Sequence, residues 1–282
     1  MQSVVPSFPV TTPMPPRSAA QALAGLSPGG VAALPALWLA DRLAQMVAPG
    51  VAARSTGFAA LDTELPGGGW PAAGLTELLL AAPGSGELRL LAPWLGQGRG
   101  QAGHVLCIAP PFTPYAPALH ALGWRLERLV IVTPESLADA AWAAEQGLRS
   151  GACAAVLWWQ GQAQAPAAAL TTALRRLHLA ALEGACPLFA LRPASARAQS
   201  SPAPLRLALE PAAAGQLAVT VFKRRGPAMA QPLRLTLPMA GVPASRTLRR
   251  VEALPVPAAT VVSILSEPGD AVVRAAPERI AA

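Results

Sequence analysis

The sequence predicts an α/β protein with a mostly parallel sheet, helices on both faces of the sheet, and antiparallel strands at its C-terminal edge. Between about residues 75 and 192, short continuous apolar runs alternate with segments at helical spacing, as in parallel sheets that are buried on both faces. After residue 204, three segments alternate apolar and polar residues between turns, which is typical of antiparallel strands with one solvent face. The hydrophobic content of 52% over 282 residues is ample for a sizeable core.

The elements follow one another in a regular order. An amphipathic helix is predicted before the core, where Leu37, Leu39, Leu43 and Met46 stand near helical spacing. Strands are then predicted at 75–81, 104–110, 128–134, 154–159 and 187–192, with helices at 86–97, 115–122, 136–150 and 166–184. The three alternating segments, 205–211, 216–224 and 232–238, are expected to extend the sheet at one edge.

The proline distribution predicts the domain limits. Many of the 31 prolines lie near the two ends of the chain, where hydrophobic periodicity also fades. We therefore expect a poorly ordered Pro-rich segment at 1–35, one folded domain at 36–238, and a flexible basic, Pro-rich tail at 239–282.

The charge limits the class of partner, and the cysteine content limits the cellular compartment and the chance of a metal site. The net charge of +7 and a pI near 10.8 favour a polyanionic or acidic partner, although a high-GC genome also enriches arginine. Cys107, Cys153 and Cys186 lie far apart without metal-ligand spacing, so we expect free thiols in a reducing cytoplasm and no metal. No stretch resembles a signal peptide or a membrane span, and the expected location is cytoplasmic.

The stretch "AAPGSGELRLL", residues 81–91, follows the first predicted strand and precedes a helix. Gly84, Ser85 and Gly86 stand where a phosphate-binding loop places its turn, but Glu87 and Leu88 stand where that loop carries Lys and then Ser or Thr. The alternative is a plain strand-to-helix turn that uses glycine for backbone freedom.

Residues 55–79, "STGFAALDTELPGGGWPAAGLTELL", resemble the segment that leads into the P-loop strand of RecA-like ATPases. The stretches "IAPPFTPYAPALHALG" and "LRSGACAAVLWWQ" resemble later parts of the same domain, so the likeness covers about residues 50–240. Within that superfamily, the Gly-Gly-Gly-Trp-Pro stretch, the degenerate loop and "VFKRRGP" are most similar to the ImuA family.

The resemblance implies a RecA-like fold without its nucleotide chemistry. The phosphate-binding Lys and magnesium-binding hydroxyl fall on Glu87 and Leu88, the water-activating Glu on Pro111, and the Walker B Asp on Trp159. A carboxylate would oppose a polyphosphate, and neither proline nor tryptophan supplies a base or a metal ligand. We therefore expect no ATP hydrolysis and no cofactor, with Trp159 either in the core or filling the vacated pocket.

The resemblance further implies a function in DNA-damage tolerance. A member of the ImuA family is expected to be a non-catalytic accessory protein of SOS-induced translesion synthesis that docks to an ImuB-like inactive Y-family polymerase, to RecA, or to both. An error-prone polymerase α subunit would be an indirect partner, and the protein would be associated with the nucleoid. The alternatives are a DNA-dependent ATPase or recombination mediator, and an SOS-induced cell-division inhibitor.

Basic residues are the remaining candidates for contact with single-stranded DNA or a protein partner. The segment 192–204 falls where RecA has a mobile DNA-binding loop, and "FKRRG" clusters three cations at a hairpin tip. A solvated loop and hairpin tip are the alternative interpretation, and segment 192–204 contains no aromatic residue to stack on bases. The candidates are Arg192, Arg197, Lys223, Arg224, Arg225, Arg246, Arg249 and Arg250.

Overall fold

The computed structural model describes residues 53–97, 103–161 and 166–239, together with the backbone of two short strands at 260–263 and 274–275. The helices are Ala59–Glu64 (α1), Glu87–Gln97 (α2), Ala116–Ala121 (α3), Leu137–Arg149 (α4) and Ala167–Glu183 (α5). The strands are Gly74–Leu80 (β1), His104–Ile108 (β2), Leu129–Thr133 (β3), Cys153–Trp159 (β4), Pro187–Pro193 (β5), Leu205–Pro211 (β6), Gln216–Lys223 (β7), Leu233–Thr236 (β8), Thr260–Ser263 (β9) and Arg274–Ala275 (β10).

The α/β class is confirmed. The strand order is β10-β9-β3-β2-β4-β5-β1-β6-β7-β8, and every neighbouring pair from β9 to β6 is parallel. Strand β7 runs antiparallel to both β6 and β8, as predicted for the C-terminal edge. The predicted N-terminal helix and the segment 1–35 lie outside the described residues, as does most of 239–282.

Strand β6 differs from its prediction, because it pairs parallel to β1. Its sequence alternates like a strand with one wet face, yet its first five residues are all buried. Arg206 stands directly opposite Glu77 of β1 and forms an ion pair with it, so a charged side chain occupies an interior position. Only β7 and β8 therefore form the expected antiparallel extension.

Two hydrophobic cores lie on the two faces of the sheet. One contains residues of α1, α2 and α3, and is centred on Phe189, whose ring lies 5.4 Å from both Trp70 and Trp94 in edge-on contacts. The other contains the inward residues of α4 and α5 with Trp158 of β4. Because parallel strands need cover on both sides, the helices are divided between the faces as the sequence predicted.

Local chemistry sets the ends of individual elements. Ser136 caps α4, since its Oγ accepts a hydrogen bond from the Asp139 amide at 3.1 Å. Strand β2 ends at Ile108, two residues earlier than predicted, because Ala109 has a φ of 51° and prolines follow it. In the described part of the chain, no helix has the length and apolarity required to cross a bilayer.

Candidate functional site

The three places that the sequence singled out as altered nucleotide-site positions lie at one edge of the sheet. The glycine loop follows β1, Pro111 lies just beyond β2, and Trp159 ends β4. Because these strands are parallel members of one sheet, their carboxyl ends meet at the same edge, where α/β proteins place their ligands. The fold therefore brings these positions into a common region.

The loop 81–86 is a tight strand-to-helix turn. Gly84 and Gly86 have φ values of 78° and 110°, which side-chain-bearing residues rarely adopt. The Ser85 hydroxyl donates a hydrogen bond to the carbonyl of Ala82 and accepts one from the Ala82 amide. The turn is thus stabilised from within the chain.

The carboxylate of Glu87 binds two backbone amides of the glycine loop. Its Oε1 accepts a hydrogen bond from the Gly84 amide at 2.9 Å, and its Oε2 accepts one from the Gly86 amide at 3.0 Å. The residue is only 3% exposed and stands in the first turn of α2, where the helix dipole favours negative charge. Glu87 therefore serves as an internal anion for the loop.

The residues that follow β8 cover the loop from outside; we call residues 237–239 the closing segment. Arg89 of α2 donates hydrogen bonds to two carbonyls of the closing segment, from Nε to Pro238 at 2.8 Å and from Nη2 to Leu237 at 3.2 Å. Leu237 is buried against Gly86, and a Cβ on that glycine would lie 2.6 Å from the leucine Cδ1. The Glu87 carboxylate thus takes up two amides of the loop, and Leu237 blocks the space beside Gly86.

The other altered positions are apolar or lack functional groups. Leu88 packs against the core on the α2 side, and Pro111 is exposed. Trp159 is buried in that same core, level with Leu191 of β5 and, one strand further, Leu78 of β1. Trp158 faces the opposite core, so the two rings lie on opposite sides of the sheet, as the core interpretation of this pair predicted.

The segment that leads into β1 is held by Asp62. Its two carboxylate oxygens accept hydrogen bonds from the Ser55 hydroxyl at 2.6 Å and from the Thr56 amide at 2.7 Å. A Cβ on Gly69 would lie 1.9 Å from the Arg54 carbonyl oxygen, so the Gly-rich turn is required by a close approach of two backbone segments. These residues have a structural role in positioning β1.

Arg192 lies in a buried ionic network centred on Glu77. Glu77 is fully buried and accepts hydrogen bonds from Arg192 Nη1 at 2.9 Å and Arg206 Nε at 2.7 Å, as well as from the Ser201 hydroxyl. Arg192 is 3% exposed and also donates to the Gln199 side chain at 2.7 Å. Its guanidinium is therefore absent from the surface where a DNA-contact residue was expected.

The same network fixes the segment that was expected to be a mobile loop. Arg206 donates from Nη1 to the Gln199 carbonyl and from Nη2 to the Ala196 carbonyl, and residues 194–198 form a short 3-10 helix. Ala196 and Ala203, which both belong to this segment, are buried. The sequence signal for this arrangement was Glu77 itself, a lone carboxylate in an apolar strand, which requires a buried cation.

The remaining basic candidates differ in their exposure and in the groups that they contact. Arg224 is tied to α1 by its contacts with the Glu64 carbonyl and carboxylate, the latter at 2.8 Å. Arg197, Lys223 and Arg225 are exposed, and Arg197 stacks over the Phe222 ring at 4.8 Å. Burial lowers the pKa of Lys223 below its ordinary value, with a further contribution from Arg206. We call Arg197, Lys223 and Arg225 the basic patch. Arg246, Arg249 and Arg250 lie outside the described residues.

The thiols and His178 occupy structural positions. All three cysteines are thiols rather than disulfides, and burial raises the pKa of Cys107 to about 12, so its reactive thiolate is suppressed. His178 Nδ1 accepts a hydrogen bond from the Leu75 amide at 3.1 Å, at the start of β1. Among the described residues, no group of His, Cys, Asp and Glu side chains is arranged to hold a metal ion.

Comparison with known proteins gives no further assignment, since the chain matches no protein-family model and no curated protein.

Proposed function

We propose that this chain is a non-catalytic RecA-like accessory protein of SOS-induced translesion synthesis, similar to the ImuA family. In this proposal it acts by docking to an ImuB-like inactive Y-family polymerase, to RecA, or to both, and thereby recruits an error-prone polymerase α subunit. It works near DNA in the cytoplasm, associated with the nucleoid.

The observation that carries the proposal is the double closure of the loop after β1. Glu87 satisfies the Gly84 and Gly86 amides with a carboxylate of the chain itself, and the closing segment lies over Gly86. A nucleotide would have to displace both, and would then meet Leu88 where a magnesium-binding hydroxyl is needed. A RecA-like sheet with such a loop is better suited to presenting a surface than to turning over ATP.

A hydrolysis and binding assay tests the non-catalytic part of the proposal. Purified protein with magnesium, ATP and single-stranded DNA is expected to show no turnover above a protein-free blank and no saturable nucleotide binding. Turnover that disappears in Gly84→Ala or Gly86→Ala would instead identify a DNA-dependent ATPase. The two glycine variants are informative because both positions have positive φ.

A direct binding assay tests the docking part. The ImuB-like polymerase and RecA of the same organism are immobilised separately, and the wild-type chain is titrated over each with and without ATP. Nucleotide-independent binding to at least one of them is expected. Binding to neither would contradict the proposal, and cell filamentation with capture of a tubulin-like division protein would favour a cell-division inhibitor.

The basic patch supports an auxiliary contact with single-stranded DNA. Arg197, Lys223 and Arg225 are exposed. Lys223 Nζ donates to the Ser201 carbonyl of the segment that carries Arg197, and Arg225 follows two residues after Lys223. The buried network beneath them holds two guanidiniums against one carboxylate, so it adds positive charge to this side of the molecule.

A further inference from the structure

The loop between β2 and α3, residues 109–115, exposes two aromatic rings. Phe112 is 68% exposed and Tyr115 is 72% exposed. They stand three residues apart, in a segment that follows β2 at the same sheet edge as the closed glycine loop. With about 150–250 Å² of surface for each aromatic side chain, the two together expose roughly 200–350 Å² on one loop, which is more than the isolated surface hydrophobics that need no explanation.

The backbone conformation of this loop is restricted in the unbound chain. Pro110, Pro111 and Pro114 each fix their own φ and restrict the residue before them. Ala109 adopts a φ of 51°, an uncommon conformation for a residue with a Cβ, and its amide donates to the Val132 carbonyl at 2.9 Å. Such preorganisation reduces the entropy cost of immobilising the two rings in a complex.

The described charges near the loop disfavour a polyanion as its ligand. No Asp, Glu, Lys or Arg occurs between His104 and Arg125. Strand β2 lies between β3 and β4, and the described residues that follow β3 include Glu135 and Asp139 but no Lys or Arg before Arg149. A phosphate backbone needs cations close to the stacked bases, whereas the first described charged residues after the neighbouring strand β3 are carboxylates.

We propose that residues 109–115 form the protein-docking element of this chain, and that they insert Phe112 and Tyr115 into an apolar, uncharged groove of a protein partner. This inference rests on the proposed function, because it names the surface through which that docking occurs. Because the glycine loop at the same edge is closed, docking through residues 109–115 is expected not to depend on nucleotide. The basic patch, which belongs to the segment after β5 and the end of β7, is a separate surface.

The test measures the affinity of variants for the immobilised ImuB-like polymerase and RecA. The double variant Phe112→Ser/Tyr115→Ser is expected to bind the protein partner at least about 30-fold more weakly than wild type, as for central aromatic anchors. Trp142→Ser, which alters an aromatic side chain 42% exposed on α4, is the matched control and is expected to change affinity less than about threefold. Phe112→Leu and Tyr115→Phe preserve apolar surface and are expected to retain most of the affinity.

The outcomes separate the inference from the proposed function. If wild type binds a partner and the double variant binds it equally well at an unchanged thermal midpoint, the inference is overturned and the proposed function stands. If wild type binds neither protein, the proposed function fails and the inference fails with it. If the double variant instead loses affinity for a single-stranded oligonucleotide while protein binding persists, the loop is a base-stacking element and the inference is again overturned.

Discussion

At the scale of single residues, the same side-chain type has opposite roles in different places. Arg192 and Arg197 both belong to the basic stretch that the sequence offered for DNA contact. Arg192 is buried against Glu77 and Gln199, whereas Arg197 is exposed over Phe222. Burial decides which of the two is available, because a guanidinium that compensates an interior carboxylate cannot also bind a phosphate outside.

Substitution of Arg192 tests this division. Arg192→Met removes a charge-assisted hydrogen bond from Glu77 and the donor to Gln199, while Arg206 still compensates the carboxylate. We expect the free energy of unfolding to fall by about 1–3 kcal/mol. The exposed control Arg197→Met should change it by less than about 0.5 kcal/mol. Urea unfolding of both variants checks the prediction, and equal stabilities would contradict the buried role.

His178 predicts a pH dependence of stability. Burial lowers the pKa of His178 below its ordinary 6.5, and its neutral Nδ1 accepts from the Leu75 amide. Below pH 6.5 the unfolded chain therefore takes up a proton more readily than the folded chain, so this contribution to stability is complete above pH 6.5 and is lost as the pH falls towards the folded pKa.

Urea midpoints measured at several pH values between about 7.5 and 5.5 should show this decline. His178→Gln retains a side-chain acceptor but does not titrate, so its decline over that range should be smaller than that of wild type. Parallel curves for the two proteins would show that His178 does not titrate as described.

At the scale of elements, the loop after β1 is closed by parts that lie far apart in the chain. Glu87 closes it from α2, and the closing segment reaches it from beyond β8 through Arg89 and Leu237. Replacing the loop residues alone therefore leaves a steric cover in place.

Introducing the lysine and hydroxyl of a phosphate-binding loop is predicted not to create nucleotide binding. The double variant Glu87→Lys/Leu88→Thr supplies a cation and a hydroxyl, but it leaves Leu237 over Gly86 and Trp159 where a metal-binding carboxylate is needed. We expect no magnesium-dependent ATP binding in calorimetry. We also expect lower stability than wild type, by about 1–3 kcal/mol, because two loop amides lose their acceptor. Saturable ATP binding by this variant would show that the closing segment is no barrier.

At the scale of the whole molecule, the chain has a net charge of +7, and the charges within its described residues are distributed unevenly. The described basic patch lies beside β6 and β7, whereas the exposed aromatic loop beyond β2 lies among residues that are neutral or acidic. These two surfaces differ in chemistry, which is why we propose phosphates as the ligand of one and an apolar groove as the ligand of the other.

Salt titration tests the binding of phosphates by the basic patch. Arg197→Gln/Lys223→Gln/Arg225→Gln should weaken binding to single-stranded DNA and reduce the slope of log K against log salt by about 0.7 for each phosphate that the variant no longer neutralises. A control with Arg125, Arg149 and Arg175 changed to Gln lowers the net charge equally at exposed positions elsewhere. Equal effects of the two triple variants would show that only overall charge matters.

Much of the fold could be predicted from the sequence, because local periodicity carries it. Continuous apolar runs predicted the ends of β1 to β5 to within two residues, and helical spacing predicted the positions of α2 to α5. Strand β6 was wrongly predicted to have a solvent face. Nothing close to Arg206 in the sequence indicates that it stands opposite Glu77 in the interior.

The sequence by itself determined the α/β class and the chemical content of the altered positions, since Glu87, Leu88, Pro111 and Trp159 have the same functional groups in any fold. Only the tertiary structure decided what those groups contact: that the Glu87 carboxylate bonds to the Gly84 and Gly86 amides and that Leu237 covers the loop. It also decided that the Arg192 guanidinium lies inside. Composition fixes which charges a chain has, but burial and pairing between distant segments fix which of them meet solvent.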